Sequence, residues 1–469
     1  MSFKFLALGL ALTASLSALA VNHGHFFHKQ SLLMQSNSPE GAYLKLRADG
    51  TMRSEEVGFY NQKLDHKNPN SPIFKQRFFV DSKYASGPEA PVFLIICGEW
   101  NCGGTGSSSF VESMAKNMKG HLVSLEHRYY GESLPTSNLT AQNLQHLSLE
   151  AALMDIATFQ QDLMKTRGWT GKWIVAGGSY AGTLAAFYRL KFPTLAAGAL
   201  ASSAPVLMKN RFIEYDAHIA SVINQTSCGD KVREAVKLIE DKLETPEGTQ
   251  EVKSLFRATD VVNNKDFLYV VADMLAAAVQ YGRDKVFCQA LTSNPDLVQG
   301  YAKGGLTVLT SMGSTPFEIS LAVAERVNVT ENDNMRQWMW QSCRQFGWFQ
   351  VANGTGAGTS RSSQIDLAYH QEVCARLYKQ PMTANESLNR TYYNQLFSPV
   401  MNNIIFTNGS NDPWLTLSVT ERTTQRNPGF DLFMIQGAAH CDDLRLSMNN
   451  PAMMSAQAQI TKVVTEWLK

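Results

Sequence analysis

Residues 173–183, Trp-Ile-Val-Ala-Gly-Gly-Ser-Tyr-Ala-Gly-Thr, set a serine among small residues where an apolar run gives way to a helical stretch. A serine on such a strand–turn–helix junction is held above the end of a sheet with its hydroxyl exposed, the setting of a nucleophile. Small neighbours suit the turn because side chains there collide with the adjoining strand and helix. The spacing departs from G-x-S-x-G once, since Ala181 stands where the second glycine is expected. A serine hydroxyl needs a base within hydrogen-bond reach, and the base needs an orienting carboxylate. Residues 408–414 (Asn-Gly-Ser-Asn-Asp-Pro-Trp) and 437–443 (Gly-Ala-Ala-His-Cys-Asp-Asp) supply both types. Taken singly, Asp412 in Asn-Asp-Pro reads as a common turn, and a lone loop histidine as structural. Taken together, Ser179, Asp412 and His440 have the right types in the right chain order, each just beyond an expected strand.

An oxyanion would need two backbone N–H donors. Tyr180, after the serine, is one candidate, and the loop Cys97-Gly98-Glu99-Trp100, through Gly98 or Glu99, is the other.

The elements that must position these groups are legible as apolar runs. Residues 91–97, 121–126, 172–176 and 197–202 read as buried strands, with residues 149–167 helical between the second and third. Strands alternating with helices imply a mostly parallel sheet in an α/β fold. Residues 206–398 break that grammar and read as amphipathic helices with Asn-, Gly- and Ser-rich loops. Strands return at 403–407 and 431–435, and a helix over 456–468 closes the chain. The economical division is an α/β domain, 56–205 and 399–469, interrupted by a helical cap at 206–398.

The net charge of +1 gives no field for nucleic acid and no polybasic tract for an anionic membrane. Lys4 before an apolar run and a small-residue stretch ending at Ala20 read as a secretory signal peptide, residues 1–20, followed by a leader or pro-segment, 21–55. No later run is long and apolar enough to span a bilayer. Seven cysteines in an oxidising compartment allow three disulfides and one free thiol. None has metal-site spacing with histidines, so neither a metal nor another cofactor is expected. Seven sequons, at Asn138, Asn224, Asn328, Asn353, Asn385, Asn389 and Asn408, would carry glycans in a eukaryotic secretory pathway.

With these residues in view, the chain resembles the secreted and lysosomal serine exopeptidases that include lysosomal Pro-X carboxypeptidase, dipeptidyl peptidase II and thymus-specific serine protease. The resemblance is carried by Gln62-Lys63-Leu64-Asp65-His66, Gly98-Glu99, the run from Glu126 to Ser133 (Glu-His-Arg-Tyr-Tyr-Gly-Glu-Ser), Gly177 to Gly182, Ala201 to Pro205, Asn408 to Trp414 and Gly437 to Arg445. It implies an α/β-hydrolase core with a helical cap, cleavage after proline near a chain terminus of a peptide substrate, and the roles of nucleophile, acid and base for Ser179, Asp412 and His440. It also implies the cap disulfides Cys228–Cys288 and Cys343–Cys374, places the chain outside the cell or in the lysosome or vacuole, and leaves a homodimer open. Two departures stand out. Cys97 and Trp100 replace the outer glycines that some relatives carry in the oxyanion loop, and Cys441 stands where Pro-X carboxypeptidase has a second histidine. Cys441 is then either the free thiol or a partner for Cys97 or Cys102.

A rigid apolar proline ring fits an aromatic slot. Trp100, Trp414, Trp338, Trp340, Gln341 and Phe346 are the candidate pocket residues, with plain core packing the competing reading for residues 338–349. Glu331, Asp333, Arg336 and Arg344 offer both signs of charge for a peptide terminus, so carboxypeptidase and dipeptidyl-peptidase modes stay open. A lipase or esterase on the same fold and a non-catalytic secreted binding protein are the alternative readings.

Overall fold

A computed structural model describes residues 44–46, 52–329, 334–423 and 427–469. The signal peptide expected at 1–20 lies outside the described residues. Along the chain the elements are β1 (Leu44–Leu46), β2 (Met52–Ser54), β3 (Glu56–Lys63), β4 (Ile73–Asp81), β5 (Val92–Ile96), α1 (Ser109–Asn117), β6 (His121–Leu125), α2 (Leu149–Arg167), β7 (Trp173–Gly178), α3 (Tyr180–Lys191) and β8 (Gly198–Ser202). There follow β9 (Lys209–Arg211), α4 (Ile213–Ile223), α5 (Cys228–Lys242), α6 (Pro246–Leu255), α7 (Asn264–Gln280), α8 (Asp284–Thr292), α9 (Leu297–Ser311), α10 (Met335–Gln341), β10 (Gly347–Phe349), α11 (Leu367–Tyr378), α12 (Leu388–Thr391) and α13 (Tyr393–Leu396). The last three are β11 (Ile404–Gly409), β12 (Phe430–Ile435) and α14 (Pro451–Leu468).

Eight strands form one sheet in the order β12-β11-β8-β7-β5-β6-β4-β3. Six pair in parallel; β4 runs antiparallel to β6, and β3 to β4. The fold is an α/β hydrolase fold with a mostly parallel sheet. Strands β5 to β8 and β11 are buried at every position, which is why they read as unbroken apolar runs rather than alternating ones. One sheet face packs on α1 and α14 through Phe110, Val111, Ile460 and Val464; the other packs on α2 and α3. Helix α2 begins at an N-cap, Ser148, whose side chain accepts from the Ala151 N–H, and ends at Gly168 in the left-handed conformation. Helix α14 starts five residues before the expected 456, because Asn450 caps it and Pro451 occupies its first turn.

Between β8 and β11 the described residues form helices and loops together with β9 and β10, which pair in parallel as a separate two-stranded sheet. Within the segment read as a leader, β1 pairs antiparallel with β2. Glu55 is buried, and its carboxylate accepts from the Thr105 N–H at 3.0 Å and hydroxyl at 2.5 Å, so ordered structure begins before residue 56. All three disulfides close: Cys228–Cys288, Cys343–Cys374 and Cys97–Cys102. Cys441 is free and buried, which removes its pairing with Cys97 or Cys102. Asn408 lies inside β11, 2% exposed, with its amide donating to Val419 O, so this sequon is closed to a glycan in the folded chain. The amide of Asn389 is likewise engaged by the backbone of Met208.

The early motifs meet in one polar hub. The Arg128 guanidinium grips Asp155 of α2 through two bonds, 2.7 and 2.6 Å, and donates to the carbonyls of Leu64, His146 and Lys63. His66 Nε2 meets the same carboxylate at 2.7 Å, and Gln62 bonds to Gln76 and Asp155 O. Beside it the Glu126 carboxylate accepts from Arg77, the Cys102 and Glu132 N–H groups and the Ser133 hydroxyl. Removing one partner from a buried, fully bonded pair leaves the other charge uncompensated. Asp155→Ala should therefore cost about 3–5 kcal/mol, read as a lower denaturation midpoint in urea, whereas a change of Glu150 on the exposed face of α2 should leave the midpoint nearly unmoved.

Candidate active site

Ser179 is the junction itself. Its backbone has φ 58° and ψ −131°, sits between β7 and α3, and holds its N–H on Ser202 O at 2.9 Å. A non-glycine residue there is strained, by roughly 1–3 kcal/mol, and the surrounding packing must enforce it. The neighbours leave no room for side chains. A Cβ on Gly177 would lie 2.3 Å from Ala181 O, and one on Gly182 would lie 2.8 Å from Ser202 O. The alanine at 181 faces Gly98, where an added Cβ would sit 3.3 Å from the Ala181 nitrogen and 3.4 Å from its methyl.

Two loops bring the other groups. Asp412 follows β11, is completely buried, and accepts from the Trp414 N–H at 2.9 Å through Oδ1. Its Oδ2 meets His440 Nδ1 at 2.9 Å, leaving Nε2 as the free ring nitrogen. The loop after β12 is tied down by Asp443, which accepts from Ser202 Oγ at 2.5 Å, at the end of β8, and from Thr407 Oγ1 at 2.7 Å, within β11. Cys441 adopts a left-handed conformation, and its N–H donates to Ser203 Oγ. Its sulfur packs on the elbow, where a Cβ on Gly178 would come within 2.8 Å. From the opposite side, the His440 N–H donates to Gln280 O at the end of α7, at 2.9 Å. The Gln280 side chain accepts from Tyr215 and Trp414 and donates to Tyr281.

Ser179 and His440 line one cavity of about 200 Å³, walled by Glu99, Trp100, Trp338 and Trp414 and by the α7 residues Asp273 and Gln280. Helix α3 opens at Tyr180, whose N–H has no intrahelical acceptor by position. The loop with Gly98 and Glu99 is closed by the Cys97–Cys102 bridge.

Trp340, Gln341 and Phe346 stand outside this wall. Trp340 is buried against Tyr378, and Phe346 stacks on Trp348 at 4.5 Å. Gln341 bridges Tyr130 and Tyr180, bonding the elbow tyrosine to the Tyr-rich loop. Arg336 spends its guanidinium on the carbonyls of Leu139, Ala324 and Leu377, and Arg344 is exposed over the Trp340 ring. Glu331 and Asp333 lie outside the described residues. The contribution of α7 was missed from sequence; its signal was Asp273, an acid within the otherwise apolar run 267–279.

The profile of the serine carboxypeptidase S28 family matches residues 62–460. This chain belongs to that family. It is 33% identical to the probable serine protease EDA2 of Arabidopsis thaliana, over 87% of this chain and 84% of that protein. It is 28% identical to human thymus-specific serine protease, covering 93% and 91%, and 28% identical to lysosomal Pro-X carboxypeptidase of Bos taurus, covering 93% of each. The family is one of serine peptidases, so peptides are the substrate class, and among the described residues no helix is long and apolar enough to cross a membrane.

Burial opposes charge on His440, yet the Asp412 carboxylate and, in the same direction, Cys441 hold its pKa well above the ordinary 6.5. Burial pushes the Glu99 carboxyl up to about 7, with its own backbone and then His440 pulling the other way. A histidine whose charged form is favoured stays protonated to higher pH. Histidine-ring NMR should place the His440 transition above 6.5, and Asp412→Asn should bring it down, because the leading opposition to burial is then removed.

Proposed function

We propose that this chain is a serine exopeptidase of the secretory pathway that cleaves after proline near a chain terminus, in carboxypeptidase or dipeptidyl-peptidase mode. Ser179 is the nucleophile, His440 the base and Asp412 its orienting acid. The observation that carries the reading is the 2.9 Å contact of His440 Nδ1 with a fully buried Asp412, in a cavity that His440 shares with Ser179 on its strained turn.

Ser179 Oγ attacks the scissile carbonyl carbon while its proton passes to His440 Nε2. The resulting oxyanion is met by the Tyr180 N–H and by a donor of the Gly98–Glu99 loop. Collapse breaks the C–N bond, the amine leaves with the proton from His440, and water reverses the steps to release the acyl-enzyme. Asp412 keeps the tautomer that presents Nε2 to the serine and stabilises the imidazolium. The rings of Trp100, Trp338 and Trp414 supply flat apolar surface for a proline. Three disulfides accord with an oxidising compartment, and the likeness to a lysosomal enzyme supports a secreted or lysosomal setting. The division into a core (56–205 and 399–469) and a helical cap (206–398) belongs to the same reading.

Peptides of the forms X-Pro-Y and Pro-X, with free and blocked ends, read by mass spectrometry, test this. Cleavage should fall after proline, and Ser179→Ala should lower turnover by several orders of magnitude. Activity should rise with pH along a limb above 6.5, since only the neutral imidazole accepts the proton and its pKa is raised. Turnover of long-chain esters with none of proline peptides would instead make the chain an esterase, and no labelling by an organophosphonate would remove the nucleophile.

A further inference from the structure

The cavity that holds Ser179 and His440 is unbalanced in charge. Its wall carries the carboxyl groups of Glu99, Asp273 and Glu318 against the guanidinium of Arg445. Glu318 accepts from the Thr315 N–H at 2.9 Å. Asp273 differs: among the described residues no hydrogen bond or ion pair reaches its carboxylate, and the charge it feels is the more distant Arg361, which donates to Gln350 O. Glu99 is 7% exposed, and its Oε2 meets no donor. The half-buried Asp273 carboxylate and one oxygen of the buried Glu99 are thus left without the partners that acids in such settings normally have.

The surroundings of Asp273 favour a cation. Tyr215, Tyr269 and Tyr281 share its part of the wall, and ring faces attract positive charge. Burial first and the Asp273 charge second hold the phenols of Tyr215 and Tyr269 above their usual range, so these rings stay neutral beside it. Burial also lifts Asp273 itself to about 6, against the pull of Arg361, and a bound cation would favour its ionised form.

Register aligns Asp273 with the catalytic end of the cavity. Asp273, Ala277 and Gln280 follow one another at helical spacing on the cavity face of α7. Seven residues of helix put Asp273 about 10 Å from Gln280, whose carbonyl holds the His440 N–H.

We propose that Asp273, with Glu99 nearer the catalytic end, forms a subsite for a positively charged group of the peptide, an ammonium or guanidinium. The inference rests on the peptidase reading above and selects among its modes, since a carboxylate repels a substrate carboxyl terminus and attracts an amino terminus. The same chemistry could come from a lysine or arginine side chain.

Three matched proline peptides separate the sources: one with a free amino terminus, its N-acetylated form, and an N-acetylated form with lysine at the corresponding distance. In the wild-type enzyme one cationic peptide should exceed the neutral one in kcat/KM by about tenfold or more. In Asp273→Asn that ratio should fall toward one, chiefly through KM, and Asp273→Glu should recover part of it. Preference for the free amine assigns the amino terminus, and preference for the lysine peptide assigns a side chain; either supports the subsite. Equal wild-type values, or a preference that survives Asp273→Asn, overturns it. Organophosphonate labelling of Ser179 reports the fold of each variant, and Asp273→Ser serves if the asparagine variant fails to label. Absence of all Ser179-dependent peptide cleavage in the wild type would defeat the peptidase reading and this subsite with it, whereas cleavage indifferent to charge defeats the subsite alone.

Discussion

The structure turns on a backbone crossing that has no space for side chains. At the elbow, β7 passes into α3 through a serine at positive φ, and Gly177, Gly178 and Gly182 each face an atom that a Cβ would strike. The close fit does two jobs. It forces Ser179 into a conformation that a free chain would leave, and it brings the backbone of Ala181 against Gly98 of the neighbouring loop. Serine and loop are therefore placed by one contact. Cys441 belongs to the same constraint, because its sulfur occupies the volume that Gly178 leaves open. The residue after His440 is thus a packing element of the elbow as well as a neighbour of the imidazole.

Around that crossing, two sets of polar bonds fix the loops that carry no regular structure. Asp155 and Glu126 anchor the segments that precede the elbow, one through Arg128 and His66 and the other through Arg77 and the backbone of Cys102. Asp443 anchors the histidine loop to β8 and β11, and Gln280 fastens that loop to the inserted helices. Loops rich in unpaired backbone groups gain definition from such acceptors, since each buried carboxylate satisfies several donors at once.

Much of this was legible in the sequence because its causes are local. A sheet covered on both faces writes unbroken apolar strands, and β5, β6, β7 and β8 appear within one or two residues of their expected limits. The residue types of Ser179, Asp412 and His440, and their places after strands, need no knowledge of packing. What was not legible depends on distant contacts. Strands β3 and β4 lie at the sheet edge, mix polar and apolar positions, and so carry no clean run. Strands β9 and β10, three residues each, are too short to show a period. The aromatic density of residues 338–349 is real, but burial divides it: Trp338 reaches the cavity, while Trp340 and Phe346 serve the interior. Composition cannot tell the two apart, because both environments favour rings.

The same division separates the proposed catalytic groups from the proposed pocket. The groups suited to bond breaking hang from strand ends of the sheet, whose positions are over-determined by backbone fit. The groups that could tell one peptide from another, Asp273, Tyr215, Tyr269 and Trp338, come from the helices inserted between β8 and β11. These helices reach the sheet's loops at several points, among them Gln280, which receives hydrogen bonds from His440, Tyr215 and Trp414, and Gln341, which bonds Tyr130 and Tyr180. A substitution on the cavity face of α7 can therefore change the charge or width of the pocket without entering the elbow, while one at Gln280 would disturb both. A helix face tolerates such changes because its backbone bonds are internal to it. The elbow does not, since its geometry is held by contacts between backbones that no side chain can replace.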